Sequence, residues 1–138
     1  IKPEYDQWEP GEHNGTFRGN NLAFIAATEA LNYWVTDDFS NHIKERAAEL
    51  KEAVEVIIEK YPKLNGEARG RGLMQGIAVN VDGLASKICS EAFERGLIVE
   101  TSGPKDEVVK FLPPLIIDEE GLSEGLRILE DSIKHVLK

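Results

Sequence analysis

Between residues 20 and 34 the chain offers a helix no polar side: Leu22, Ala23, Phe24, Ile25, Ala26, Ala27, Ala30, Leu31, Tyr33 and Trp34 surround it. A helix that is apolar all round expects cover on every side. A chain of 138 residues has material for one sizeable core, and this segment asks for more cover than such a chain supplies. Part of it is therefore expected to pack on chain not included here or on another subunit. The chain begins with Ile1 rather than Met, which fits the expectation that an N-terminal part precedes it.

The next segment has a different pattern. Phe39, Ile43, Ala47, Leu50, Val54, Ile57 and Tyr61 recur at steps of three and four, the period of a one-sided helix. Lys44, Glu45, Glu49, Lys51, Glu52 and Glu55 form its solvated face. Thr36, Asp37 and Asp38 supply capping chemistry before it, and Tyr61-Pro62 ends it. The run Glu67–Gly72 leads into a strand over Leu73–Val81, apolar or small on both faces and so expected to be covered on both. A helix comes next over Gly83–Arg95, with Leu84, Ile88 and Ala92 on one face and Gly96 as its stop. Leu97–Thr101 and Val108–Leu112 read as a hairpin pair around Ser102-Gly103-Pro104. Pro113-Pro114 ends the pairing, and Asp118 caps a last helix with Leu122, Leu126, Leu129, Ile133 and Val136 inward. Glu119 and Glu120 in its first turn and Lys134, His135 and Lys138 in its last suit the helix dipole. The order helix, helix, strand, helix, strand, strand, helix predicts an α+β domain: a small, mostly antiparallel sheet with helices packed on it.

Charge and cysteine content narrow the function. A net charge of −9 repels phosphate backbones, which argues against nucleic-acid binding. No apolar run is long enough to span a bilayer. The single cysteine, Cys89, excludes an internal disulfide and suits a reducing cytoplasm; its helical context reads as a small buried residue rather than a reactive thiol. No Cys/His set has metal-ligand spacing.

The chemistry-bearing segment is Gly15-Thr16-Phe17-Arg18-Gly19-Asn20. A phosphate seeks backbone N–H groups, a hydroxyl and little steric bulk, and Gly15, Gly19 and Thr16 can present these beside the Arg18 charge. The same residues also suit an ordinary helix lead-in with Asn20 as cap.

Residues 13–23, His-Asn-Gly-Thr-Phe-Arg-Gly-Asn-Asn-Leu-Ala, resemble the H-x-G-T-F-x-G-N-x-x-A segment of class III (ornithine-type) pyridoxal-phosphate aminotransferases. Arg69-Gly70-Arg71-Gly72-Leu73-Met74-Gln75-Gly76 resembles that family's R-G-x-G-L-M-x-G strand entry, and Phe111-Leu112-Pro113-Pro114-Leu115 its R-x-x-P-P-L segment. The three stand in the family's order, from about Trp8 to the C-terminus. Arg18, the paired Asn20-Asn21, Met74-Gln75-Gly76, Glu100-Thr101-Ser102-Gly103 and Val108-Val109-Lys110 resemble one branch within the class.

The resemblance implies a fold-type I enzyme of which this chain is the C-terminal portion. Residues 1–35 would end the large cofactor-binding domain, and 36–138 would form the small α+β domain. Thr16, with Gly15 and Phe17 lining the same turn, would bind the phosphate of pyridoxal phosphate belonging to a neighbouring subunit. That implies a homo-oligomer, a dimer or dimer of dimers, and a source of cover for the apolar helix. Lys110 replaces the family's carboxylate-binding arginine. Either it grips a substrate carboxylate as a point charge, or the carboxylate is held elsewhere, for instance by Arg18. Arg69 and Arg71 read as structural. His13 would order the turn; His42 and His135 read as surface or dipole-related positions. The resemblance places the cofactor-holding lysine upstream of this chain, so no catalytic residue is assigned within it and the chain alone is expected to be inactive. Partners are small amino-acid substrates, with neither nucleic acid nor membrane, in the cytoplasm. Two other readings remain: a stand-alone small-molecule-binding module, which the all-round apolar helix disfavours, and a nucleotide-binding domain, which lacks a strand before the glycine turn.

Overall fold

The structure, a computed structural model, describes residues 2–12 and 14–138. It divides into two compact units, Ile1–Asp37 and Asp38–Lys138.

The first unit carries helix α1, Asn21–Ala30. Asn20 caps it: its side-chain oxygen accepts from the Ala23 N–H at 3.0 Å, satisfying one of the donors a helix start leaves open. The expected helix over 20–34 is α-helical only to Ala30; Leu31–Trp34 tightens into a 3-10 turn. Asn32, Tyr33 and Trp34 are poor helix formers, and 3-10 turns are common at helix ends. No residue of α1 is buried, and Leu22 and Ile25 are 77% and 67% exposed.

The second unit is a four-stranded sheet with three helices. Helix α2, Asp38–Lys60, buries Leu50, Val54 and Ile57 along the expected stripe. Strands β1 (Gly66–Arg71) and β2 (Met74–Val79) form a hairpin. Helix α3 spans Leu84–Glu94, β3 spans Glu100–Ser102, β4 spans Val108–Phe111 and α4 spans Glu119–Val136. The sheet order is β1-β2-β4-β3, antiparallel throughout. Ile77 and Val79 of β2 and Val109 and Phe111 of β4 enter the core with Leu50, Val54, Ile88, Leu129 and Ile133 of the helices. Alternation along β4 therefore turns Lys110 to the opposite face.

Two strands differ from the sequence reading. β1 was not expected as a strand, because Gly-Glu-Ala-Arg-Gly-Arg has neither β-branched residues nor apolar alternation. Pairing with β2 makes it one: Arg71 stands opposite Met74 across the two-residue turn Gly72-Leu73. β3 is shorter than expected and lies further along the chain. The N–H groups of Gly96 and Leu97 bond to Phe93 and Ala92 carbonyls, both at 2.9 Å, with Gly96 at φ 91°. This is a Schellman closure of α3, and it holds the backbone at Leu97 out of the ladder.

The remaining signals are where the sequence places them. β2 is buried from Gln75 through Val79, with both faces covered. Asp118 caps α4 by accepting from the Gly121 N–H at 2.8 Å.

Candidate functional site

In the first unit, the turn before α1 is closed by the Arg18 N–H donating to the Gly15 carbonyl at 3.1 Å. Gly19 has φ 74°, a conformation glycine adopts without steric cost. The Arg18 side chain folds back along Gly15: a Cβ there would sit 2.7 Å from Arg18 Nε. A side chain at Gly15 would displace the exposed Arg18 side chain from this position. Thr16, Phe17 and Arg18 are all exposed, and Phe17 is 92% exposed. A threonine hydroxyl, a guanidinium and an uncrowded glycine backbone on an exposed turn form a donor set that suits a phosphate group. His13 lies outside the described residues.

In the second unit, Lys110 projects from β4 and its Nζ pairs with Glu100 Oε2 at 3.0 Å. The two residues are direct cross-strand partners. Such opposite-charge pairs stabilise a sheet modestly. Arg69 donates to Glu67 Oε2 at 2.9 Å, and Arg71 ends β1 opposite Met74.

His42 does more than a surface residue. Its Nε2 lies 3.0 Å from the Ile117 carbonyl and its ring stacks on Phe39, tying α2 to the segment before α4. His135 lies in the last turn of α4, 3.8 Å from Glu91. Cys89 is half-buried; burial, then the nearby Glu100 charge, pushes its thiol up to about 11, so it is protonated and unreactive at neutral pH. No cluster of three or more potential metal ligands occurs among the described residues.

Two polar residues in the second unit escaped the sequence reading. Gln75 counted there only as part of an alternating strand. It is buried, and its amide donates to the carbonyls of Ala47 at 2.9 Å and Gly72 at 2.6 Å, fastening the hairpin to α2. Glu100 counted only as part of a motif; register with β4 makes it the counter-ion of Lys110. An apolar cavity of about 230 Å³ lies between α2, β4 and α4, lined by residues such as Leu97, Pro113 and Leu126. Its lining holds no charged side chain, so it offers no seat for an amino acid.

The chain resembles known proteins over its whole length. It is 67% identical over 138 residues to a diaminobutyrate–2-oxoglutarate transaminase of Oceanobacillus iheyensis, covering 100% of this chain and 32% of that protein. It is 47% identical to the protein of that name from Vibrio parahaemolyticus, covering 99% of this chain and 32% of that one. Among solved structures, N-acetylornithine aminotransferase from Stenotrophomonas maltophilia superposes with a TM-score of 0.76 at 30% identity, covering 86% of this chain and 32% of that one. The chain spans about a third of the length of the curated relatives it matches. The family model described as aminotransferase class III matches residues 2–133. With its antiparallel sheet and helices aligned to solved members, the chain belongs to the class III aminotransferases.

Proposed function

We propose that the full-length protein carrying this chain is a pyridoxal-phosphate-dependent aminotransferase. It would move the amino group of glutamate onto aspartate semialdehyde, giving 2,4-diaminobutyrate and 2-oxoglutarate, the first dedicated step of ectoine synthesis. The observation that carries this reading is identity of 67% across the entire chain to a relative with that name. The sequence supports it as well, since Val108-Val109-Lys110 resembles one branch of the class where most members have an arginine.

The cofactor, when bound, supplies the electron sink for exchanging an amino group with a carbonyl. The residues here bind and orient. Thr16 donates its hydroxyl to the phosphate, and Gly15 and Phe17 shape the turn around it. Arg18 brings positive charge to the same surface. Lys110 attracts a substrate carboxylate as a single ammonium, without the two-pronged geometry of an arginine. No lysine of this chain stands in the context of the cofactor-holding lysine, so the chain by itself does not transaminate. We assign residues 1–35 to the end of the large domain and 36–138 to the small domain. The exposed apolar surface of α1 is then covered in a homo-oligomer, where the turn reaches the neighbouring subunit's cofactor. We place the protein in the cytoplasm, a reading supported by its single cysteine, which can form no internal disulfide.

A substrate panel on the full-length protein tests the reading. Glutamate formation from 2-oxoglutarate should be fastest with 2,4-diaminobutyrate. Faster turnover of acetylornithine, ornithine or 4-aminobutyrate would replace this assignment with another within the class.

A further inference from the structure

Helices α2 and α4 run side by side in the same direction. Near their starts, His42 of α2 reaches the Ile117 carbonyl just before α4 at 3.0 Å. Near their ends, Glu130 of α4 accepts from Lys60 and Tyr61. Two carbonyl-rich helix ends therefore meet at one corner of the second unit, each equivalent to about half a negative charge. Lysines surround them: Lys60 and Lys63 at the end of α2 and in the turn after it, Lys134 in the last turn of α4 and Lys138 just beyond. These four line a groove of about 280 Å³ with Tyr61 and Pro62, and no acid is among its lining residues. Both walls are anchored from below. Leu64 is fully buried and its N–H donates to the Tyr61 carbonyl at 2.9 Å. Ile133, 1% exposed, accepts from the Leu137 N–H at 3.0 Å. The four side chains thus start from fixed backbone.

The charges at this corner do not cancel. Four ammoniums face two helix ends, together about one negative charge, and one carboxylate, Glu130, which Lys60 engages. The neighbouring Asp131 is taken by Arg127 at 2.8 Å. About two positive charges are left over, in a chain whose net charge is −9. Lys63 makes only a long bond, 3.4 Å, to the Leu137 carbonyl. Lys134 and Lys138 are exposed and form no ion pair among the described residues. Like charges gathered round one groove repel each other, and an anion between them turns that repulsion into attraction.

We propose that the groove where α2 and α4 end is a binding site for a phosphate-type anion, free or carried as an ester. The donors select the ligand. An ammonium is a compact point charge with three donors and no fork, so it does not match the flat, two-oxygen face of a carboxylate as an arginine does. Several ammoniums placed round a groove instead suit a tetrahedral group whose charge is spread over three or more oxygens. Two surplus positive charges match a phosphate dianion. Such a ligand would tie the end of α2 to the end of α4. The site belongs to the second unit alone and uses neither Thr16 nor Lys110.

The experiment titrates the full-length protein, saturated with pyridoxal phosphate so that the turn at Thr16 is not the site read, with inorganic pyrophosphate and with glycerol 3-phosphate by calorimetry at low, constant ionic strength. The two probes separate a free oligophosphate from a phosphate ester as the better ligand. The double variant Lys134→Gln/Lys138→Gln removes the two unpaired ammoniums and leaves the Lys60–Glu130 pair in place. It should weaken the better-bound probe by about 5- to 20-fold, the combined span of two exposed ion pairs. Lys51→Gln removes a lysine of α2 outside the groove, paired instead with Glu55, and should change binding by less than about twofold. The melting temperature of each variant identifies loss of fold. No heat of binding from the unaltered protein with either probe up to about 10 mM, a free energy weaker than about 3 kcal/mol, would overturn the proposal. Equal binding by the unaltered protein and the folded double variant would overturn it too, as would a loss in Lys51→Gln as large as that in the double variant.

Discussion

Two glycines of the β1-β2 hairpin, two residues apart, are required for different reasons, and the difference can be measured. Gly72 opens the turn at φ 59°, and nothing lies within 4 Å of where its Cβ would be. Gly72→Ala therefore carries only the cost of a left-handed alanine, about 1–2 kcal/mol. Gly70 sits within β1 at φ 127°, outside the left-handed helical well. Its Cβ would meet the Met74 carbonyl oxygen at 2.2 Å and Gln75 Cα at 2.5 Å. Both are backbone atoms, so no rotamer change relieves the overlap and the hairpin must separate. Backbone strain of about 1–3 kcal/mol and overpacking of about 1–3 kcal/mol then combine, placing Gly70→Ala at about 3–5 kcal/mol. Urea unfolding of the chain, followed by circular dichroism, reads both. With a slope of about 1–3 kcal/mol per molar urea, Gly70→Ala should lower the midpoint about two to three times as far as Gly72→Ala. Equal shifts, or the reverse order, would refute the argument that close approach of β2 is what excludes a side chain at Gly70.

Thr16→Val keeps the shape of the turn and removes the hydroxyl; fluorescence titration of the full-length apoenzyme should show pyridoxal phosphate binding weakened about 10- to 100-fold, the worth of a hydrogen bond to a charged group. Leu129→Ala, at a position 1% exposed, should destabilise the chain by about 2–5 kcal/mol in the same urea assay. Glu130 accepts from both Lys60 and Tyr61, and the Lys60 hydrogen bond foremost holds its carboxyl below the usual range. Its contribution is therefore full above the unfolded value, about pH 4.3, and is lost as pH falls through the lower folded value, so Glu130→Gln should lower the melting temperature more at pH 7 than at pH 3. Cys89, with its thiol pushed up to about 11, should react with iodoacetamide at pH 7.5 far more slowly than a free cysteine does; mass spectrometry of the native chain measures the rate.

Much of the fold was legible because its signals are local. The stripes of α2 and α4 repeat at helical spacing, and Asn20, Gly96 and Asp118 mark helix ends by their own side chains or the lack of one. β1 was not, since nothing in Gly-Glu-Ala-Arg-Gly-Arg prefers a strand until β2 pairs with it. β3 moved because the Schellman closure at Gly96 takes precedence over β-propensity in Leu97–Val99. The turn at Thr16 was readable as a donor set. The Lys110–Glu100 pair was not, because it depends on the register of two strands. Gln75 and His42 were missed for a similar reason: their partners, Ala47 and Ile117, stand 28 and 75 residues away in the chain.

The central claim is that the turn at Thr16 completes a cofactor site in a neighbouring subunit. Subunit hybrids of the full-length enzyme test it most directly. One parent carries Thr16→Val; the other lacks the cofactor-holding lysine, and both should turn over poorly alone. If the turn acts across the interface, each hybrid contains one site with both an intact lysine and an intact Thr16, so mixing should restore activity in proportion to the hybrid fraction. If hybrids form, as shown by native mass spectrometry, and activity does not rise, the turn serves its own subunit or no phosphate, and the account is contradicted.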